Sequence, residues 1–380
     1  MIAASKQRQV DFWSSTEYSS FLPGLTRALV AHSWKGQSRY EISEADYRSA
    51  RGRKARFALR WRAYVRYPWN LRRALRAGAR TDVAVVCTNT FYAPRIAERV
   101  GRGTAVVHWV FDLFPDVLVV GGKLRMGSAG ARLLDRLTRA TFDQASANVF
   151  LGERLLAHAV ARFGPIPRAV VIPVGCDARP FANMPPVRSV HGEPVCALYC
   201  GNLGRMHDVD TIVGAMNAGL PEKFALSFRG NGAGFRQLGS AINEGKSGDT
   251  VSLGGNLKEA DWIDAMRRAE VALVTMKPGA EGVVMPSKTY SALAAGQAVV
   301  AICPDASDLA DTIRKHDCGW VVVPGDVSRL SNLLAEIVDQ PEELFRRRQN
   351  AWRAGQQVFD QQALVKAWVE VLESALKQNQ

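Results

Sequence analysis

Three observations predict an α/β chain built as two doubly wound domains. Short β-branched runs alternate with helical-period segments along all 380 residues, a proline-rich stretch interrupts that alternation once, and glycines follow strand-like runs where a ligand-binding turn would lie. The length and a hydrophobic content of 47% suit two domains, each with its own core.

Each element follows in order. In the first half, "QVDFW", "DVAVVCT", "TAVVHWVFD", "SANVFLG" and "RAVVIPVG" read as strands, with helical patterns in "LPGLTRALVAH" and "SAGARLLDRLTRATFDQA". The stretch 178–194, "ARPFANMPPVRSVHGEP", lacks periodicity and reads as the linker region. Alternation then resumes with "VCALYCG", a helix near "DVDTIVGAMNA", and strands at "FALSFRGNG", "TVSLGG", "VALVTM", "AVVAIC" and "GWVVV". The expected boundaries are 1–180 for the first domain, 181–194 for the linker, 195–358 for the second domain and 359–380 for a final helix.

Charge and cysteine usage narrow the function. The formal net charge is +13, and eleven basic residues lie within 51–80, "RGRKARFALRWRAYVRYPWNLRRALRAGAR", which has no acidic residue. Removing those eleven leaves +2, so the basicity is local. Phe57, Trp61, Tyr64 and Val65 recur there at helical spacing, with Arg62 and Arg66 roughly opposite and Pro68 expected to end the stripe. Three readings are open: a helix packing that stripe on its sheet, a nucleic-acid surface without a recognised recognition motif, and attachment to anionic lipid headgroups. The lipid reading is preferred, through Arg53, Arg56, Arg60, Trp61, Arg62, Arg66, Trp69, Arg72, Arg73 and Arg76, with no nucleic acid as partner. Six scattered cysteines form no CxxC pair or zinc spacing, which suits a reducing cytoplasm, and no metal is expected. The N-terminus carries no secretory pattern and no run reaches the roughly 18 apolar residues of a span, so membrane contact is expected to be peripheral.

Three loops of the second half carry candidate anion chemistry. "LYCGNLGR" runs from a strand through Gly201, Asn202 and Gly204 to Arg205, whose planar fork suits phosphate oxygens. "LSFRGNGAGF" places Gly230, Asn231, Gly232 and Gly234 after a second strand, although such turns also serve purely steric ends. "MPSKTYSALAAGQ" has Pro286, Ser287 and Lys288 at a helix start and Gly296 at its end.

Taken in order, "GNLGR", "RGNGAGFRQL", "MPSKTYSALAAGQAVVA" and "DCGWVVVPGD" resemble the retaining, GT-B fold glycosyltransferases of family 4. "VFDLFPDVLVVGG" and "ANVFLGERLLAHAVARFGPIPRAVVIPVGCD" are similar to the branch that builds exopolysaccharide, capsule and O-antigen units on lipid carriers. The resemblance implies two Rossmann-like domains facing a cleft, a final helix crossing back to the first domain, and metal-independent transfer with no cofactor. The implied donor is a UDP-sugar, or alternatively a GDP-sugar, and the implied acceptor a polyprenyl-diphosphate-linked saccharide at the inner face of the membrane.

By the same resemblance Arg205 and Lys288 hold the donor diphosphate and Gly201, Asn202 and Gly204 shape the loop around it. Family members commonly carry two glutamates eight apart; here those positions are Val283 and Ser291, with Glu281 two residues from the first. His207 stands near a second phosphate-binding lysine of the family. Asp112 aligns with the Asp of the family's "HDLWP" stretch, where Phe111 replaces the His, and is the first choice to orient or deprotonate the acceptor, with His108 as the alternative. Asp112 as a loop or helix cap stays open. So do a soluble acceptor and a non-catalytic nucleotide-sugar-binding role.

Overall fold

A computed structural model describes residues 7–50, 52–77, 81–101, 103–188, 192–244 and 250–379. The chain divides into two compact units. Unit 1 comprises Met1–Asp177, Gly282–Val284 and Gln361–Gln380, and unit 2 comprises Ala178–Glu281 and Met285–Asp360.

Unit 1 holds a six-stranded parallel sheet of β1 (Arg8–Thr16), β2 (Trp34–Ile42), β3 (Val83–Cys87), β4 (Ala105–Val110), β5 (Ala147–Phe150) and β6 (Ala169–Val171), in the order β2-β1-β3-β4-β5-β6. Every residue of β3, β4 and β5 is buried, which is why these strands read as unbroken apolar runs. The edge strand β2, "WKGQSRYEI", is missing from the sequence-based strands. It has no apolar run, and it holds its place through an eight-residue parallel register with β1, from Arg8↔Trp34 to Thr16↔Ile42.

The helix Gln361–Gln378 is counted with unit 1. Trp368 is fully buried, with its ring centroid 5.9 Å from Phe12 and 4.7 Å from Trp109. Gln361 pins the helix start, its amide N–H donating to the Cys176 carbonyl at 3.1 Å and its Nε2 to the Val174 carbonyl at 2.7 Å.

Unit 2 repeats the plan with β7 (Val195–Asn202), β8 (Phe224–Asn231), β9 (Val251–Gly254), β10 (Val271–Thr275), β11 (Ala298–Ile302) and β12 (Gly319–Val322), ordered β12-β11-β10-β7-β8-β9. The chain runs outward from β7 to β9 and returns across β7 to β10, so strand order reverses between β7 and β10. In such sheets the loops beyond the carboxyl ends of the two strands diverge and leave a crevice for ligand.

The predicted linker is not a free tether over its described part. Phe181 is buried, the Pro180 carbonyl accepts from Arg267 at 2.6 Å, and the Val187 carbonyl accepts from Arg348 at 2.8 Å, all within unit 2. Residues 189–191 lie outside the described residues.

Trp368→Ala removes the largest wedge beneath the unit 1 sheet and is expected to cost about 3–5 kcal/mol. Urea unfolding followed by tryptophan fluorescence reads this as a lower midpoint at similar slope. A midpoint equal to wild type would mean that the final helix is not part of the unit 1 core.

Candidate functional site

The loops after β7 and β10 converge in unit 2. Gly201 and Gly230 face each other in the β7–β8 register, and a Cβ on Gly230 would lie 2.0 Å from the Gly201 carbonyl oxygen. A Cβ on Gly232 would meet the Leu203 carbonyl at 2.4 Å, and both glycines have positive φ. Gly230 and Gly232 are therefore fixed by the close approach of two strand ends. Asn202 and Asn231 pair in the same register and both are exposed beyond it.

The turn at 204–208 is held against the next strand: the Met206 carbonyl accepts from Lys277 N–H at 3.0 Å and the Asp208 carbonyl from Thr275 Oγ1 at 2.7 Å. Arg205 is exposed on that turn. After β10, Ser287 precedes the helix Lys288–Ala294 without a side-chain capping bond, with Pro286 just before it and Gly296, at φ +71°, just beyond the helix. Ser291 lies one turn along the same helix and is partly exposed.

Lys288 reaches back across this crevice to β7. Its Nζ lies 4.2 Å from the Tyr199 ring centroid, in hydrogen-bond contact with the Tyr199 hydroxyl, 3.4 Å from the Asn202 carbonyl and 3.1 Å from His207 Nε2. Burial lowers the Lys288 amine to about 7, and burial followed by the nearby Lys288 charge lowers the His207 imidazole to about 3. Sequence reasoning found Lys288 and His207 but missed Tyr199. The available signal was strand alternation, which puts Tyr199 on the same face as Gly201. Glu281 has one carboxylate oxygen, Oε2, buried without a hydrogen-bond partner. Val283, at one family glutamate position, is buried in unit 1, where its carbonyl accepts from Leu113 N–H at 3.2 Å.

In unit 1 the loop after β4 is fixed by Thr88, whose Oγ1 accepts the N–H groups of Phe111 at 2.9 Å and Asp112 at 3.1 Å. The Phe111 ring stacks on Tyr18 at 4.9 Å and 7°. Asp112 is half-buried and caps no helix: the following helix, Asp116–Val120, is preceded by Pro115. Burial raises the Asp112 carboxyl to about 6. Asp116 is tied differently, with Arg162 Nε at 2.7 Å and His158 Nε2 at 3.2 Å.

His108 lies within β4, not at its end, and is buried. Asn148 uses its Nδ2 on the carbonyls of Phe142 and Pro167, so its Oδ1, 3.1 Å away, must accept from His108 Nδ1–H. That fixes the tautomer and leaves Nε2 as an acceptor without a partner. Burial lowers this imidazole to about 4, so it is neutral at physiological pH. His108 and Asp112 line the same small pocket, along with Thr88, Phe91, Thr138 and Phe142.

The basic stretch is helical from Gly52 to Arg76, through an α segment to Trp61, a π turn at Arg62–Arg66 and an α segment from Tyr67. Pro68 does not end it. Pro68 has no N–H to donate, and Tyr67 N–H instead reaches back five residues to the Arg62 carbonyl, which widens the helix locally. Ala63, Tyr67, Leu71 and Leu75 face the sheet, whereas Phe57 is 70%, Trp61 49%, Val65 51% and Trp69 59% exposed. The expected apolar stripe therefore points outward, and its packing on the sheet is overturned. Arg53, Lys54, Arg56, Arg60, Arg66, Arg72, Arg73 and Arg76 are exposed around it. Arg62 is partly buried on Asp46 at 3.1 Å and holds that carboxyl at about 2, and Arg66 pairs with Glu41 at 3.2 Å. Arg51 and Arg80 lie outside the described residues. Among the described residues no helix is long and apolar enough to cross a membrane, and no group of three or more His, Cys, Asp or Glu is placed to hold a metal.

Comparison with known proteins places these features. Residues 183–354 match the family model "Glycosyl transferases group 1", so unit 2 carries a glycosyltransferase group 1 domain. The chain is 29% identical over 252 residues to a probable glycosyltransferase, WbjE, of Pseudomonas aeruginosa; the match spans 63% of this chain and 62% of that protein. Among solved structures, a sucrose-phosphate synthase from Thermosynechococcus elongatus superposes with a TM-score of 0.73 at 16% identity, covering 98% of this chain and 100% of that one. HepE of Anabaena, in complex with UDP-glucose, gives 0.69 at 13%, covering 96% and 99%. At those identities the likeness is one of architecture, and the architecture is the GT-B fold of glycosyltransferases.

The raised Asp112 carboxyl has a thermodynamic signature. A native carboxyl at about 6, against an ordinary value of 3.8, binds more protons than its unfolded counterpart between those values. Stability contributed by this group is therefore lost as pH rises through that window. Asp112→Asn is expected to raise the melting temperature at pH 8 and leave it unchanged at pH 3. An unchanged melting temperature at both pH values would refute the burial of this carboxyl.

Proposed function

We propose that the protein is a retaining, metal-independent glycosyltransferase that moves a sugar from a nucleotide-sugar donor, UDP-linked by preference, to a lipid-linked saccharide acceptor. The observation that carries this reading is the placement of Lys288. It reaches into the crevice between the carboxyl ends of β7 and β10, inside the segment that matches the glycosyl transferases group 1 model, beside the turn that bears Arg205. A departing nucleoside diphosphate gains negative charge in the transition state, and donors fixed there lower the barrier. Arg205 and Lys288 supply that charge in place of a metal. The buried, unpartnered Oε2 of Glu281 suits a hydroxyl donor, which a sugar ring offers.

On the acceptor side, Asp112 orients or deprotonates the incoming hydroxyl. It combines a raised carboxyl with the absence of an ion-pair partner among the described residues. A carboxylate serving as base near neutrality needs such a raised value. In a retaining reaction the departing phosphate can also take that proton, so orientation alone suffices.

The aromatic ridge of the basic helix seats unit 1 on an anionic membrane. Trp61, Tyr64 and Trp69 are interfacial residues, and each exposed cation near the surface adds about 1 kcal/mol at low screening. Unit 1 is the half that carries Asp112, and Tyr64 lies near enough to feel that carboxylate's charge.

A donor screen with a lipid-linked acceptor tests the chemistry. Turnover is expected with a UDP-sugar, unchanged by EDTA, with retained anomeric configuration, and falling at least 100-fold in Lys288→Ala, the scale of losing one fixed transition-state donor. An inverted product, or full turnover in Lys288→Ala, refutes the assignment. Co-sedimentation with phosphatidylglycerol vesicles at low and high salt tests the membrane claim. Binding is expected to weaken with salt and to drop in Trp61→Ser/Trp69→Ser, and failure to bind at low salt refutes it.

A further inference from the structure

The hydrogen-bond directions around Lys288 determine its charge. Gly204 N–H donates to His207 Nδ1 at 3.1 Å, so Nδ1 is the unprotonated nitrogen. The hydrogen of the neutral ring is then on Nε2, which faces Lys288 Nζ at 3.1 Å. An ammonium has three donors and no acceptor. That contact is a hydrogen bond only if Lys288 is a neutral amine whose lone pair accepts Nε2–H. The two amine hydrogens have their acceptors in the Tyr199 hydroxyl and the Asn202 carbonyl, and the Tyr199 hydroxyl donates to that same carbonyl at 2.9 Å.

The groups facing Lys288 agree with this count. From β7 come Tyr199, whose phenol burial keeps protonated, and Cys200, whose thiol burial raises in spite of nearby Lys288 and Arg229. From the turn comes His207, and the first turn of the lysine's own helix has no acidic residue. The turn also carries Asp208, whose carboxylate is taken up by Thr211 N–H at 3.4 Å and the Thr211 hydroxyl, so none of these elements turns an anion to Lys288 to hold an ammonium.

Resting on the donor-site reading above, we propose that Lys288 stands as a neutral amine in the free protein, held so by His207, and that binding a nucleoside diphosphate draws one proton from solvent onto it. The bond that breaks is the Nε2–H···Nζ hydrogen bond, and the added proton comes from bulk water or buffer. One proton converts a closed, mutually satisfied arrangement into two outward donors, the ammonium and the freed Nε2–H, both able to meet phosphate oxygens. His207 acts through Lys288 and is a positioning residue.

Calorimetric titration with UDP-glucose and GDP-mannose, whose diphosphates do not titrate near neutrality, tests this in buffers of different ionisation enthalpy. At pH 8 uptake close to one proton per bound nucleotide sugar is expected. Affinity should be level below about pH 7 and fall about tenfold per pH unit above it, since the charged amine is lost there. In His207→Ala the fall should begin at a higher pH, because Lys288 loses the donor that holds it neutral. Binding with no proton uptake and a flat pH profile overturns this inference and leaves the donor site standing. An unmoved profile in His207→Ala overturns the part given to His207. Failure of both nucleotide sugars to bind overturns the donor-site reading itself.

Discussion

A half-buried amine with no counter-charge beside it is the constraint around which the second unit's crevice is arranged. A lysine kept from water without an anion gives up its charge unless its surroundings supply one. Here they supply a phenol, a carbonyl and an imidazole, all neutral and all placed by the ends of β7 and the turn that follows. The close glycine contact between β7 and β8 brings those ends together, and the reversal of strand order leaves the space into which Lys288 extends. Sterics and electrostatics thus meet at one atom, Nζ, where the polar network completes itself.

The first unit handles charge in a complementary way. Asp112 is a carboxyl drawn out of water with no cation beside it, whereas Asp116, four residues later, is paired with Arg162 and His158. Nearly adjacent acids are therefore set in different surroundings, one buried without a cation and one ion-paired. His108 is satisfied on one nitrogen by Asn148, and its depressed basicity keeps it neutral beside the pocket it shares with Asp112. Both units present a titratable group shifted towards neutrality beyond a buried strand, an acid in the loop after β4 and a base at the start of the helix that follows β10.

How much of this was legible in the sequence depends on where the information resides. The buried central strands announced themselves because both faces are apolar, and β2 did not because an edge strand is specified by its partner's register more than by its own hydrophobicity. Lys288 was readable from its place at a helix start, but its neutrality was not, since that follows from which nitrogen of His207 the Gly204 amide addresses. Strand alternation puts Tyr199 on the face of Gly201, but its role showed only once Lys288 was seen to lie over its ring. The glycines at 230 and 232 were read as candidate anion turns with a steric role left open, and their contacts with the Gly201 and Leu203 carbonyls supply that steric reason. On the basic helix, periodicity did pick out the stripe of Phe57, Trp61, Tyr64 and Val65 that lies outward, but the expected end at Pro68 failed because the wide turn at 62–66 absorbs the missing donor.

That wide turn makes the helix two amphipathic halves joined out of phase. One residue corresponds to about 100° of rotation about the axis, so the register of the second half against the first is set by a count of one. Deleting Ala63 or Val65 would leave the segment's charge unchanged while turning Tyr67, Leu71 and Leu75 off the sheet or swinging the aromatic ridge towards it. Outward-facing and core-facing character are thus exchangeable here by length alone, and a change too small to alter the segment's bulk properties appreciably would decide what the segment touches.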